Sequence, residues 1–139
     1  MIIAICGSME FAGKMTAVGS LLEAQGNQVL YPKYTLPFAR QIPSKQEKAR
    51  LKRTENLILA HYKNIMKSDA IPILNYDKGN RKGWIGANSF LEMGFGHVLG
   101  KRVYLLNPIP DFDYFREEIE AMAPVVLGGN LDKIKEGSS

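Results

Sequence analysis

Glu92 stands in the stretch GANSFLEMGFGHVLG, residues 86–100, where almost every other residue after Ser89 is apolar or small. A carboxylate is expensive to bury among Phe90, Leu91, Met93 and Phe95 unless something satisfies it. Two readings account for it. Ser89 and Glu92 have the S-x-x-E spacing of a capping box, in which Glu92 bonds back to the start of its own helix. Alternatively, Glu92 is a chemical group at the mouth of a crevice. The helix start favours its ionised form, and an ionised, oriented carboxylate suits a nucleophile better than a proton donor. Gly94 and Gly96 inside the same helix each cost about 1 kcal/mol relative to alanine, which suggests close approach by a backbone or a ligand.

Other groups with chemical potential are sparse. Cys6 is the single cysteine, which excludes an internal disulfide and a cysteine-based zinc site. Gly7-Ser8 follows the first apolar run and offers backbone N–H groups and a hydroxyl to an anion or a sugar; a plain tight turn is the alternative. SMEFAGKMT, residues 8–16, has the outline of a phosphate loop, but Ser8 replaces the first glycine and Met15 follows the lysine where a magnesium-binding hydroxyl belongs. A nucleoside triphosphatase is rejected, and no G-x-G-x-x-G marks a dinucleotide site. Lys14 and Ser8 near a helix start remain candidates for holding an anionic group. His61 shares an apolar helix face with Ile58, Tyr62 and Ile65, and is read either as a satisfied core histidine or as a general acid. His97, in an apolar stretch, has no assigned role. The basic run from Lys45 to Arg53 reads as a solvated helix face.

The elements that position these groups alternate. Apolar strands are expected at 2–6, 28–31, 70–74, 102–106 and 125–127, and helices at 11–25, 44–67, 88–99 and about 114–121. Pro72 is awkward for a central strand. The Pro-containing stretch 31–43 reads as the most flexible loop, and 75–87 as a glycine-rich polar loop. This alternation indicates an α/β fold: a flavodoxin-like, doubly wound, five-stranded parallel sheet of order 2-1-3-4-5 between two helical layers. In such a sheet the ligand crevice brings Cys6-Gly7-Ser8 beside the 75–88 loop, with Glu92 rising from the same place.

The chain has 139 residues, 45% hydrophobic and 23% charged, with a net charge of +4. That is the size of one domain, expected to span 1–139, with a mild tilt toward anionic ligands. No apolar run approaches the roughly 18 residues of a membrane span. A cytoplasmic location is expected. The terminal Gly137-Ser138-Ser139 reads as a frayed end or a remnant of preparation.

CGSM after the first strand, SDAIPILN at the third, and FLEMGFGHVLGKRVYLL together resemble the nucleoside 2-deoxyribosyltransferase-like family, which includes deoxynucleoside 5'-monophosphate N-glycosidases. The likeness runs from about Ile2 to Leu127. It implies a flavodoxin-like fold and a glutamate, at the position of Glu92, that attacks the anomeric carbon of a deoxynucleoside or its monophosphate. The glycosyl group then passes to another base or to water, a chemistry related to retaining glycosidases. It implies that Gly7, Ser8, Met9, Gly86, Asn88 and Ser89 border the substrate. It also implies that no cofactor or metal is needed, and that a homodimer or larger assembly forms, with no nucleic acid polymer and no membrane as partner. Two positions depart from the pattern. His61 stands where the family carries a catalytic aspartate, and Ala4 where it carries a tyrosine. As an imidazolium, His61 would replace the aspartate as acid and give activity an alkaline limit. Two other functions are open: a module that binds a nucleotide without cleaving it, and a ribonucleotide phosphoribohydrolase, whose glutamate loop GANSFLE resembles without its Pro-Gly-Gly.

Overall fold

A computed structural model of the chain describes residues 1–111 and 114–135; the terminal Gly137-Ser138-Ser139 lies outside the described residues. Five parallel strands form one sheet in the order β2-β1-β3-β4-β5. They are β1 (Ile2–Ala4), β2 (Gln28–Leu30), β3 (Ala70–Ile73), β4 (Arg102–Leu105) and β5 (Val125–Val126). The helices are α1 (Ala12–Ala24), α2 (Thr35–Arg40), α3 (Lys45–Thr54), α4 (Leu57–Lys67), α5 (Ala87–Val98) and α6 (Arg116–Met122). The expected fold class and strand order are observed.

The alternation of side chains along β1 divides the core. Ile3 and Ile5 join Met15, Val18 and Leu22 of α1 on one face. Ala4 and Cys6 point the other way, toward Ile65 of α4, Met93 of α5 and Ile119 of α6. The three inner strands β1, β3 and β4 are therefore largely buried on both faces, as a parallel sheet sandwiched by helices requires, while the edge strands β2 and β5 stay partly exposed. Cys6 is thereby delivered to the α4/α5 layer.

Pro72 does occupy a central strand, and the ladder records it. β1 pairs with β3 at Ile3↔Ala70, and pairing resumes only as an isolated bridge, Cys6↔Ile73. The missing proline N–H removes a ladder bond between these points. Regular β1 therefore stops at Ala4, although the Cys6 N–H still reaches the Pro72 carbonyl at 3.0 Å.

Two expected elements differ. The helix foreseen over 44–67 is two helices, because Asn56 takes a left-handed conformation at φ 45° and caps α4 by accepting from the Leu59 N–H at 3.3 Å. Ser44 caps α3, accepting from the Glu47 N–H at 3.1 Å. The break lets α3 and α4 take different directions. The stretch 31–43, read as loop, contains α2; Pro37 sits in its first turn, where a missing N–H costs no helical bond. His97, read as possible core, is exposed near the end of α5.

Candidate active site

Glu92 is not a capping residue. α5 begins at Ala87 with Gly86 as its cap and no side-chain capping bond, so Glu92 lies in the second turn, out of reach of the helix start. Its side chain is buried, 8% exposed, and turned toward the residues that follow β1. Three elements meet there. Cys6 comes from the end of β1, His61 from α4 and Glu92 from α5, and their ligating atoms all lie within 4.8 Å of one another.

The polarity of this cluster follows from a carbonyl. The Tyr31 carbonyl can only accept, and Asn64 Nδ2 lies 3.1 Å from it, so the amide nitrogen of Asn64 faces that way. The same nitrogen is 3.2 Å from His61 Nδ1. Nδ1 therefore accepts, and Nε2 carries the ring proton. Nε2 is 3.4 Å from Cys6 Sγ, and the ring also hydrogen-bonds the Ile5 carbonyl. The thiol in turn hydrogen-bonds the Glu92 carboxylate. The directed part of the chain runs from Asn64 to His61 to Cys6; the thiol also lies 3.8 Å from the Ala4 carbonyl, so its one proton is shared between Ala4 and Glu92.

Burial sets the charges. It lowers the His61 pKa to about 4, against a small opposing effect of the Ile5 carbonyl. It raises the Glu92 carboxyl to about 8, against the Cys6 hydrogen bond and the charge of Lys52, which both favour the carboxylate. The Cys6 thiol is pushed well up by burial and by Glu92. At neutral pH the cluster thus holds a neutral imidazole, a thiol and a largely protonated carboxyl. The ionised Glu92 and the imidazolium His61 expected from the sequence are not the resting forms, because desolvation outweighs every nearby stabilising group. The three groups are spaced like metal ligands, but Asn64 keeps the Nε2 proton in place, and a ligating Nε2 must be bare.

The cluster borders a cavity of about 380 Å³, within the usual range for small-molecule sites. Gly7, Ser8 and Met9 after β1, and Gly86, Asn88, Ser89 and Glu92 around the start of α5, line it together with His61. Ser89 lines it without capping. Lys14 does not line it; its ammonium lies 4.8 Å from the Tyr76 ring centre and 5.7 Å from that of Phe11. Ser8 donates to Glu10 Oε1 at 3.1 Å. Burial pushes the Glu10 carboxyl up, but the hydrogen bonds from Lys78 and Ser8 bring it below its ordinary value.

Several lining residues were missed in the sequence. Trp84, in the glycine-rich loop, and Phe38, on α2, present aromatic surface to the cavity. A lone tryptophan in a polar glycine-rich loop was the available signal for the first; nothing local marks Phe38, because α2 itself was unforeseen. Lys45, Lys48 and Lys52 also line it, so the basic run on α3 is not merely a solvated face. Their i, i+3, i+7 spacing was legible. Asn64 was not, since its importance depends on the Tyr31 carbonyl.

No family model matches the chain, and no curated protein is similar to it in sequence. Among solved structures, the 2-deoxyribosyltransferase of Bacillus psychrosaccharolyticus is similar over 91% of this chain and 98% of its own, with a TM-score of 0.57 and 16% identity. The CMP N-glycosidase of Clostridium botulinum is similar over 91% of this chain and 85% of its own, with a TM-score of 0.50 and 15% identity. At these identities the likeness is one of fold, and both proteins bear names of the kind that the sequence resemblance pointed to.

Proposed function

We propose that this chain cleaves the N-glycosidic bond of a nucleoside or its 5'-monophosphate, with Glu92 as nucleophile. The carrying observation is that Glu92, the one buried carboxyl among the described residues, borders a cavity at the point where the strand order reverses, the usual ligand crevice of such sheets. The ionised carboxylate attacks the anomeric carbon as the carbon–nitrogen bond breaks. The departing base takes up a proton from solvent, and a glycosyl ester of Glu92 remains. A second base or a water then displaces Glu92, loses its proton to solvent and restores the carboxylate. Phe38 and Trp84 supply faces for stacking the base. His61 is assigned orientation rather than acid catalysis, because its one ring proton is already directed at Cys6 and Ile5. The chain is taken to act in the cytoplasm as a homodimer, on small molecules rather than nucleic acid polymers.

A second reading, a module that binds a nucleotide without cleaving it, draws on the raised pKa of Glu92 and on His61 and Ala4 at the family's aspartate and tyrosine positions. Incubation with deoxynucleosides, deoxynucleotides and ribonucleotides, followed by chromatography for free base, separates the two. Base release carries the first reading. Tight binding with no free base carries the second. Release from ribonucleotides alone would move the substrate to that class.

A further inference from the structure

Five lysines border the cavity: Lys33, Lys45, Lys48, Lys52 and Lys78. Two are neutralised, Lys33 by Glu55 at 3.4 Å and Lys78 by Glu10 at 3.1 Å. Lys45, Lys48 and Lys52 lie on α3 at i, i+3 and i+7, and none of them has an ion pair among the described residues. The acidic and basic partners Glu47 and Arg50 of the same helix bond each other instead, at 2.6 Å. The row starts near the reacting carboxyl, since Lys52 acts electrostatically on Glu92, and Lys48 acts on Glu10. Lys45 and Lys48 also stand in the first turn of α3, where the helix dipole disfavours a cation. Helix stability therefore gives no reason for them, and the dipole adds to the positive potential they create.

We propose that the site takes a nucleotide bearing more than one phosphoryl group, with the polyphosphate chain lying along the Lys45, Lys48 and Lys52 row. This deepens the proposed function and rests on it for the nucleoside part. A phosphate monoester carries about two negative charges at neutral pH, fewer than the three uncompensated ammoniums. The row from Lys45 to Lys52 rises about 10 Å along α3, more than one phosphoryl group can bridge. A diphosphate or triphosphate matches both the charge and the length.

The test is calorimetric titration of the full-length Glu92→Gln protein, which removes turnover, with one nucleoside and its mono-, di- and triphosphate. Inorganic tripolyphosphate serves as competitor. The expected result is affinity that rises at least about threefold with each phosphoryl group, is weakened by salt, and is competed by tripolyphosphate. The triple variant Lys45→Ala, Lys48→Ala, Lys52→Ala should flatten this ladder while nucleoside affinity persists. Equal affinity for nucleoside and triphosphate, tightest binding of the monophosphate, no binding of any of them, or tighter binding of a single-stranded oligonucleotide would each overturn the proposal. Free-base assays of the unaltered protein are read separately. A phosphate ladder without base release leaves this inference standing and removes the glycosidase reading, and base release without a ladder does the reverse.

Discussion

Glu92 carries a conflict between folding and chemistry. The nucleophile must be ionised, yet burial raises its pKa to about 8. Glu92→Ala and Glu92→Gln are both expected to lower base release by about three orders of magnitude or more while the protein stays folded, as chromatography and circular dichroism would show. In the unaltered protein, activity should climb with pH toward about 8 as the carboxyl ionises. No alkaline fall from His61 is expected, because that ring is already neutral above about 4. Cys6→Ala removes a hydrogen bond that favours the carboxylate, so the rise should move to higher pH; Cys6→Ser, which keeps a donor, should restore it. Stability follows the opposite sign for Glu92. Between its ordinary value of 4.5 and about 8 the folded protein holds a proton that the unfolded chain has lost, so raising pH through this window destabilises the fold. Glu92→Gln should flatten that loss and raise stability at pH 9 by on the order of a few kcal/mol, read from denaturant midpoints. His61 acts at the other end. Between 6.5 and about 4 only the unfolded chain binds its proton, so acid favours unfolding there.

Within α5, two glycines two residues apart have different physical reasons. A Cβ on Gly96 would collide with the Ile71 side chain of β3, so Gly96 sets how closely α5 packs on the sheet. A Cβ on Gly94 would meet nothing within 4 Å. Thermal unfolding should therefore separate them: Gly96→Ala should cost about 1–3 kcal/mol, and Gly94→Ala should gain about 0.5–1 kcal/mol by restricting the unfolded chain. The sequence showed both glycines but not which one touches the sheet. It was more informative about strands, whose apolar runs and order follow from alternation with helices. It was less informative wherever one residue acts through distant partners. Asn56 splits the 44–67 helix by a left-handed turn that many sequences would not adopt. Ser89 has the spacing of a cap, yet α5 starts two residues earlier and frees Glu92 for the cavity. The spacing of the α3 lysines was legible, but that they border the cavity became visible only in the fold. Glu92 and the Gly7-Ser8 turn were legible because an acid in an apolar helix, and a small turn after a buried strand, are locally anomalous. Asn64 and Cys6 have no such local mark.

At the scale of the molecule, a flank of α5 turned away from the cavity exposes apolar side chains. Leu91 is 43% exposed and Val98 77%, one above the other at i, i+7, and the neighbouring α4 exposes Leu59 at 43% and Met66 at 46%. The edge-on contact of Tyr62 with Phe95, ring centres 5.1 Å apart, joins the two helices into one surface. Leucine, methionine and valine side chains grouped in this way lose little by pairing with a second copy, and a two-fold axis lets each protomer offer the same patch to the other. Sedimentation at micromolar concentration is expected to give about twice the chain mass of 15.5 kDa. Val98→Glu places a charge at the most exposed apolar position of the patch, yet leaves the cavity untouched. It should therefore yield a folded monomer, by sedimentation and circular dichroism together. If the partner also closes the catalytic cavity, dilution of the unaltered protein below its dimer dissociation constant should lower activity per chain, and Val98→Glu should show that lower activity at every concentration. A unaltered protein that sediments as a monomer would end the dimer proposal, and a monomeric Val98→Glu protein with full activity would confine the dimer to a structural role.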